Sequence, residues 1–205
     1  MKNKIKVFGL IAIVLISTLS ATSCSGQSGG GGKSINSAEE LKAYLDKQPV
    51  NGPDKPIKIS ITSNAPMLKS FAKVIESSGK YVSLNITGNA LTEIPEEAFD
   101  ECTALVGITI PDSVTIIKDS AFWGCTGLTS VTIPDSVTSI GRTTFANCTG
   151  LTGVTFQGTI SSNNFAYGRF PSFDGDLCYK YLAGGIGTYI VTEKDRDGDP
   201  VWTKK

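Results

Sequence analysis

From Leu91 to Phe156 the chain repeats itself every 23 residues. Ile94, Ile117 and Ile140 hold one column, and Phe99, Phe122 and Phe145 a second. Cys102, Cys125 and Cys148 form a third, and Leu105, Leu128 and Leu151 a fourth. Ile108, Val131 and Val154 follow, then Ile110, Ile133 and Phe156; Val114, Val137 and Ile160 close the unit. Self-similarity at such a period marks a stack of like units that bury their apolar faces against one another.

Each unit reads as one coil. Ile108 and Ile110 alternate with Thr109, the pattern of a strand with one buried face. Pro111 has no N–H to donate and ends the ladder. Asp112 and Ser113 supply turn chemistry, a short second extended piece follows around Ile116 and Ile117, and a tight turn from Ala121 ends at Gly124. A lone coil cannot stand. Its few buried side chains gain roughly 1.5–3 kcal/mol each, against about 1–2 kcal/mol per residue for ordering the backbone. Stacking each column on its own copy supplies the difference.

Residues 34–90 read as helical coils. Ser37 caps a helix with Glu40 at its third position and Leu41, Tyr44 and Leu45 on one face. Ile57, Ile59 and Ile61 alternate as a strand. Ser63 or Asn64 caps a helix over Pro66–Ser78, and Val82, Leu84 and Ile86 make the next strand. Five parallel core strands are therefore expected, at 57–62, 82–87, 105–110, 128–133 and 151–156, with right-handed crossovers. The period fails after Phe156. Residues 161–205 read as an aromatic cap, closed by a hairpin that flanks Asp197-Gly198 with Trp202 packed inward. The fold class is thus α/β, rich in strand.

The pattern L-x-x-I-x-I-P-D-S-V-x-x-I-x-x-x-A-F-x-x-C-x-x-L, carried from Ile94 to Phe156, resembles the BspA-like (treponemal) leucine-rich repeat family of bacterial surface lipoproteins. The resemblance implies a right-handed solenoid and adhesion to host matrix or to other cells. Tyr181 to Tyr189 is similar to the terminal segment of many members.

The amino terminus reads as an export signal. Lys2, Lys4 and Lys6 precede an apolar run over residues 7–16 that is too short to span a bilayer. Small residues, Ala21 to Ser23, lead to Cys24. This is similar to a bacterial lipobox, although Ala21 replaces the usual leucine; it implies a diacylglycerol on Cys24. Ser25 in place of an Asp implies the outer membrane. Residues 1–23 are then signal and 24–33 a Gly-rich tether reaching roughly 15–18 Å as a flexible coil. The domain itself covers 34–205. Without the signal, 16 basic residues face 19 acidic ones, a net charge of −3. No basic stripe recommends nucleic acid.

Catalytic chemistry finds little material. With no His in the chain, a serine or cysteine nucleophile lacks its usual base. The cysteine column has no local C-x-x-C pair for a metal and reads as filler for the turn. Asp195-Arg196-Asp197-Gly198-Asp199 hints at a calcium loop, but the sixth position is Pro200 and the twelfth falls beyond Lys205, so a solvated turn is expected. Gly184-Gly185-Ile186-Gly187 lacks the spacing of a phosphate cradle. A β-solenoid glycosidase or lyase needs carboxylates on an exposed strand face. The positions expected there are Val106, Gly107, Thr109, Thr129, Ser130, Thr132, Thr152, Gly153 and Thr155, all uncharged.

The chain is therefore expected to be no enzyme, to need no cofactor or metal, and to bind a protein or other macromolecule, such as host extracellular matrix. Val106, Thr109, Thr129, Ser130, Thr132, Thr152 and Thr155 are the candidate contacts. Trp123 joins them, because its column elsewhere holds Asp100 and Ala146. Two plainer readings stand beside these: Thr for strand propensity alone, and Trp123 leaning on the next coil. The alternative function is a structural component of the envelope that faces the periplasm and has no host ligand.

Overall fold

The computed structural model describes residues 34–166 and 171–205. Helix α1 (Ala38–Leu45) starts at Ser37, whose hydroxyl accepts the Glu40 N–H at 3.2 Å. The Glu40 carboxylate accepts the Asn36 N–H at 3.0 Å. Strand β1 (Ile57–Thr62) leads to α2 (Ala65–Ser77), then β2 (Val82–Thr87). Asn64 holds the cap position of α2 with extended backbone, but its side chain makes no capping bond, and Ser63 donates instead to the Asn64 carbonyl at 2.9 Å. Pro66, which has no N–H to leave unpaired in the first turn, makes the cap less necessary.

From β3 (Glu93–Ile94) onward each coil pairs a longer strand with a two-residue one. The long strands are β4 (Leu105–Thr109), β6 (Ser130–Ile133) and β8 (Gly153–Phe156). The short ones, β5 (Ile116–Ile117) and β7 (Ser139–Ile140), join β3 in a three-stranded parallel sheet. All five expected core strands are present and parallel, in the order β1-β2-β4-β6-β8. They belong to a sheet of seven strands. After helix α3 (Leu177–Gly184), β9 (Gly187–Lys194) pairs antiparallel with β8, and β10 (Pro200–Lys204) with β9. The closing hairpin thus continues the sheet it caps.

Between the sheets lies one apolar core of stacked columns. Phe99, Phe122 and Phe145 stack nearly parallel, at centroid separations of 5.2 and 4.9 Å. Phe173 adds a fourth ring at 4.6 Å, although it lies 28 residues after Phe145. The repeat therefore persists in space after it has failed in sequence: Phe165 bridges Ile140 and Phe173 bridges Phe145, both in parallel.

The outer turns are laddered too. The N–H groups of Phe99, Phe122 and Phe145 donate to Ala121, Thr144 and Ser172 carbonyls at 2.8, 2.9 and 2.7 Å. Two columns of each turn are left-handed: Glu97, Ser120 and Thr143 (φ 55°, 54°, 50°), and Glu101, Gly124 and Asn147 (φ 53°, 68°, 58°). Gly127 and Gly150 sit where a Cβ would lie 2.2 and 2.3 Å from the Thr103 and Thr126 carbonyl oxygens, so the coils close up only over glycine there.

Both sheet edges are blunted. Ile35 exchanges hydrogen bonds with Ser60 and Thr62 at 3.1 Å each, which covers one end of β1. On β10, the Trp202 N–H goes to the Asp176 carboxylate at 2.8 Å. Trp202 is buried as expected, its indole N–H bonded to the Asp174 carbonyl at 3.1 Å. Tyr181 is buried against Phe156 and Phe165, with its hydroxyl accepting from Ile160 N–H and donating to Gly158 O.

Candidate binding face

Pairing register sets out two rows on the outward face of the large sheet. One runs Ser60, Asn85, Thr109, Thr132, Thr155, Thr188; the other Lys58, Ser83, Gly107, Ser130, Gly153, Ile190. From β2 to β8 these rows carry no charge. Neighbouring rungs lie about 4.8 Å apart, as hydrogen-bonded strands must. At the two ends of the first row the side chains bond to one another: Asn85 donates to Ser60 at 3.3 Å, and Thr155 and Thr188 share a bond of 2.9 Å.

The face gathers most of the residues expected to line it. Thr109, Ser130 and Thr132 stand exposed in the rows and Thr155 half-buried beside Thr188, while Thr129 and Thr152 are exposed just before β6 and β8, outside the rows. Val106 is not exposed, at 7%. The β2–β4 register slips by one residue between Val82 and Ser83, making Val106 the extra residue of a bulge and removing it from strict alternation. Nor is Trp123 on this face: it lies half-buried in the turn between β5 and β6, its carbonyl accepting the Glu101 N–H at 2.7 Å. Cys24 lies outside the described residues.

Several hydroxyls hold coils together. Thr129 donates to the Val106 carbonyl and Thr152 to that of Thr129, each at 3.4 Å. Ser113 and Ser136, of the two P-D-S-V turns, donate to Leu91 and Val114 carbonyls at 2.7 and 2.8 Å. Thr109 and Thr132 stand in the outer row, where exposure leaves them open to a partner. Sequence reading missed Ser60, Asn85 and Thr188. The first two were visible as polar alternates of Ile59 and Leu84; Thr188 depends on the antiparallel return of β9, which no periodicity announces.

The cysteine column is structural. The Cys125 and Cys148 thiols point at the Phe99 and Phe122 carbonyls of the preceding coil, at 3.0 and 3.1 Å, and Cys102 at Ala72 O at 3.7 Å. Burial pushes the Cys102 and Cys148 thiols up to about 12 and raises Cys125 further. Cys178, buried in the cap, is raised to about 11 by the same cause. These thiols stay protonated and inert at neutral pH. The Asp195 carboxylate accepts N–H bonds from Asp197 and Asp199 of its own turn, both at 2.9 Å, as a solvated turn does. Among the described residues no group of acidic, Cys or His side chains is arranged to hold a metal ion. No helix among them is long and apolar enough to cross a membrane.

With the stacked columns in place, the comparison with known families is decisive: residues 73–173 match the BspA-type leucine-rich repeat region in six copies. The chain carries BspA-type leucine-rich repeats. Such repeats are typically non-catalytic and generally bind proteins. No curated protein matches the chain. Among solved structures it is similar to a leucine-rich repeat protein of T. pallidum, at 23% identity and TM-score 0.38, over 49% of this chain and 47% of that one. A leucine-rich repeat protein from Bacteroides ovatus matches at 27% identity and TM-score 0.39, over 53% and 28%. A leucine-rich cell surface protein from Faecalibacterium prausnitzii matches at 18% identity and TM-score 0.36, over 72% and 52%. The matches span about half or less of those proteins' lengths.

Proposed function

We propose that this leucine-rich repeat protein is a surface-displayed binding module, tethered through lipid on Cys24, that adheres to a host-matrix or cell-surface macromolecule with the outward face of its large sheet. The observation that carries this reading is the uncharged row from Asn85 to Thr155, rigid and continuous across coils. Short hydroxyl side chains on a hydrogen-bonded sheet lose little freedom on contact, and such ordering is a main cost of association. The reading takes residues 1–23 as signal, 24–33 as tether, and the repeats as a right-handed solenoid. Low side-chain entropy, absence of charge and continuity suit one ligand spanning several coils.

Surface plasmon resonance against a panel of matrix proteins and whole-cell extracts tests the face. Thr132→Arg sets a bulky charge in mid-row without touching the core. Loss of binding in this variant alone, with Trp123→Ala binding as wild type, supports the sheet face. Loss in Trp123→Ala alone moves the site to the outer turn. If both bind normally with unchanged melting, neither surface is the site.

A further inference from the structure

The end of the domain that follows Cys24 differs in charge from the coils beyond it. Residues 34–90 carry seven lysines against five carboxylates, a net charge of +2. Residues 91–160 carry two bases against eight carboxylates, a net charge of −6. At the positive end, the segment 46–56 joins α1 to β1 and is held stiffly. The Asn51 amide donates to the Lys55 and Tyr81 carbonyls at 3.1 and 2.8 Å, and its oxygen accepts the Tyr81 N–H at 3.1 Å. This pinned backbone holds Val50 out at 87% exposure, with Tyr44 exposed near the end of α1 just before it. An apolar side chain on fixed backbone loses little freedom on contact.

Ammonium groups surround that apolar tip. Lys47 and Lys55 lie in the segment, Lys58 opens β1 beyond it, and Lys80 adjoins Tyr81. Among the described residues none of the four takes part in an ion pair. Lys42 pairs with Asp46 at 2.8 Å, which leaves Asp54 as the one carboxylate of the segment outside an ion pair. The path of the chain says what can cover this end. Ser34 is bonded to Thr62, at the far end of β1, at 2.9 Å. The length of β1 puts the segment about 17 Å from there. Ten residues of chain lead from Cys24 to Ser34, a reach of at most about 33–36 Å. A bilayer that holds Cys24 is therefore within reach of the segment.

We propose that this end docks the domain on the anionic headgroups of the bilayer that holds Cys24, with Val50 and Tyr44 in the interfacial layer and Lys47, Lys55, Lys58 and Lys80 facing the phosphates. The inference rests on the lipid reading of Cys24 and adds an orientation to it. An acyl anchor with a basic patch beside it is the two-signal arrangement of stable surface binding. The same negative surface repels the acidic coils of residues 91–160, so the domain stands on its first coil. The sheet face from Asn85 to Thr155 is then left open to a partner.

The test uses the full lipidated chain with a fluorophore on Val50→Cys or, as control, on Thr138→Cys; the buried thiols stay unlabelled in the folded protein. Vesicles are phosphatidylcholine alone, or equal parts phosphatidylcholine and phosphatidylglycerol, each with a quencher on the headgroups. The expected result is flotation with both, quenching at position 50 only with phosphatidylglycerol, and none at position 138. Salt at about 1 M, where the Debye length is about 3 Å, reverses the quenching. Lys47→Glu with Lys55→Glu lowers the docked-to-free ratio about ten-fold or more. Should that variant melt early, the salt series decides alone. Flotation with both vesicles, but with quenching at position 50 that is absent, equal in the two or unmoved by charge reversal, overturns the docking and leaves the lipid on Cys24 standing. Flotation with phosphatidylglycerol alone supports the docking and removes the lipid. Flotation with neither overturns both.

Discussion

Phe122→Ala probes the stack at its centre. The ring is fully buried and sandwiched between Phe99 and Phe145 at 5.2 and 4.9 Å. Truncating a buried Phe to Ala costs about 3–5 kcal/mol, through lost transfer energy and the cavity left behind. Two ring contacts vanish, each worth roughly 0.5–1.5 kcal/mol beyond buried area. The neighbours cannot close the gap, because ladder hydrogen bonds fix the spacing of the coils. The upper half of the range is therefore expected, about 4–5 kcal/mol. In urea, with m of about 2 kcal/mol/M, the midpoint falls by about 2 M. Phe99→Ala loses one stacked ring contact where Phe122→Ala loses two, and should cost about 1 kcal/mol less. Equilibrium urea unfolding followed by circular dichroism reads both. A midpoint shift below about 0.5 M for Phe122→Ala at unchanged m, or a larger cost at Phe99, refutes column stacking as the source of stability.

Other outcomes follow from single positions. Glu101 is left-handed where the next two coils place Gly124 and Asn147, so Glu101→Gly should stabilise by about 0.5–1 kcal/mol in the same assay. Gly127→Ala forces a methyl against the Thr103 carbonyl and should lower the melting temperature by several degrees, about 4 °C or more. Asp174 has its pKa raised by burial, so its ionisation opposes folding at neutral pH: the penalty is absent below the ordinary value of 3.8 and grows as pH rises through the folded value. Asp174→Asn should therefore stabilise at pH 7 and become neutral near pH 3. With thiols raised to about 12 or above, Cys102, Cys125 and Cys148 should resist iodoacetamide at pH 8 until urea opens the fold, which mass spectrometry reads directly.

The columns were legible because each repeats one apolar residue type, or a close apolar substitute, at a fixed interval, and a period constrains packing as strongly as it constrains spacing. The strand face was legible for the same reason, by alternation from Ile108 and Val131. Where the reading missed, a local event broke the period. Val106 is buried by a one-residue bulge against β2 that neither strand's composition announces. The fourth ring, Phe173, comes 28 residues after Phe145 because the cap threads a longer path to the same rung. Ser113 reads from sequence as turn chemistry, whereas its hydroxyl, like that of Ser136, ties one coil to the next.

The central claim is that the outward face of the large sheet meets the partner. A photo-crosslinking residue at Thr132 on that face, compared with one at Thr138 on the opposite side of the same coil, tests it on intact cells. Both positions are exposed, and the Thr138 hydroxyl donates to the Thr115 carbonyl of the preceding coil. The account predicts a crosslinked adduct from position 132 and none from position 138. An adduct from 138 alone, or equal yields from both, contradicts it.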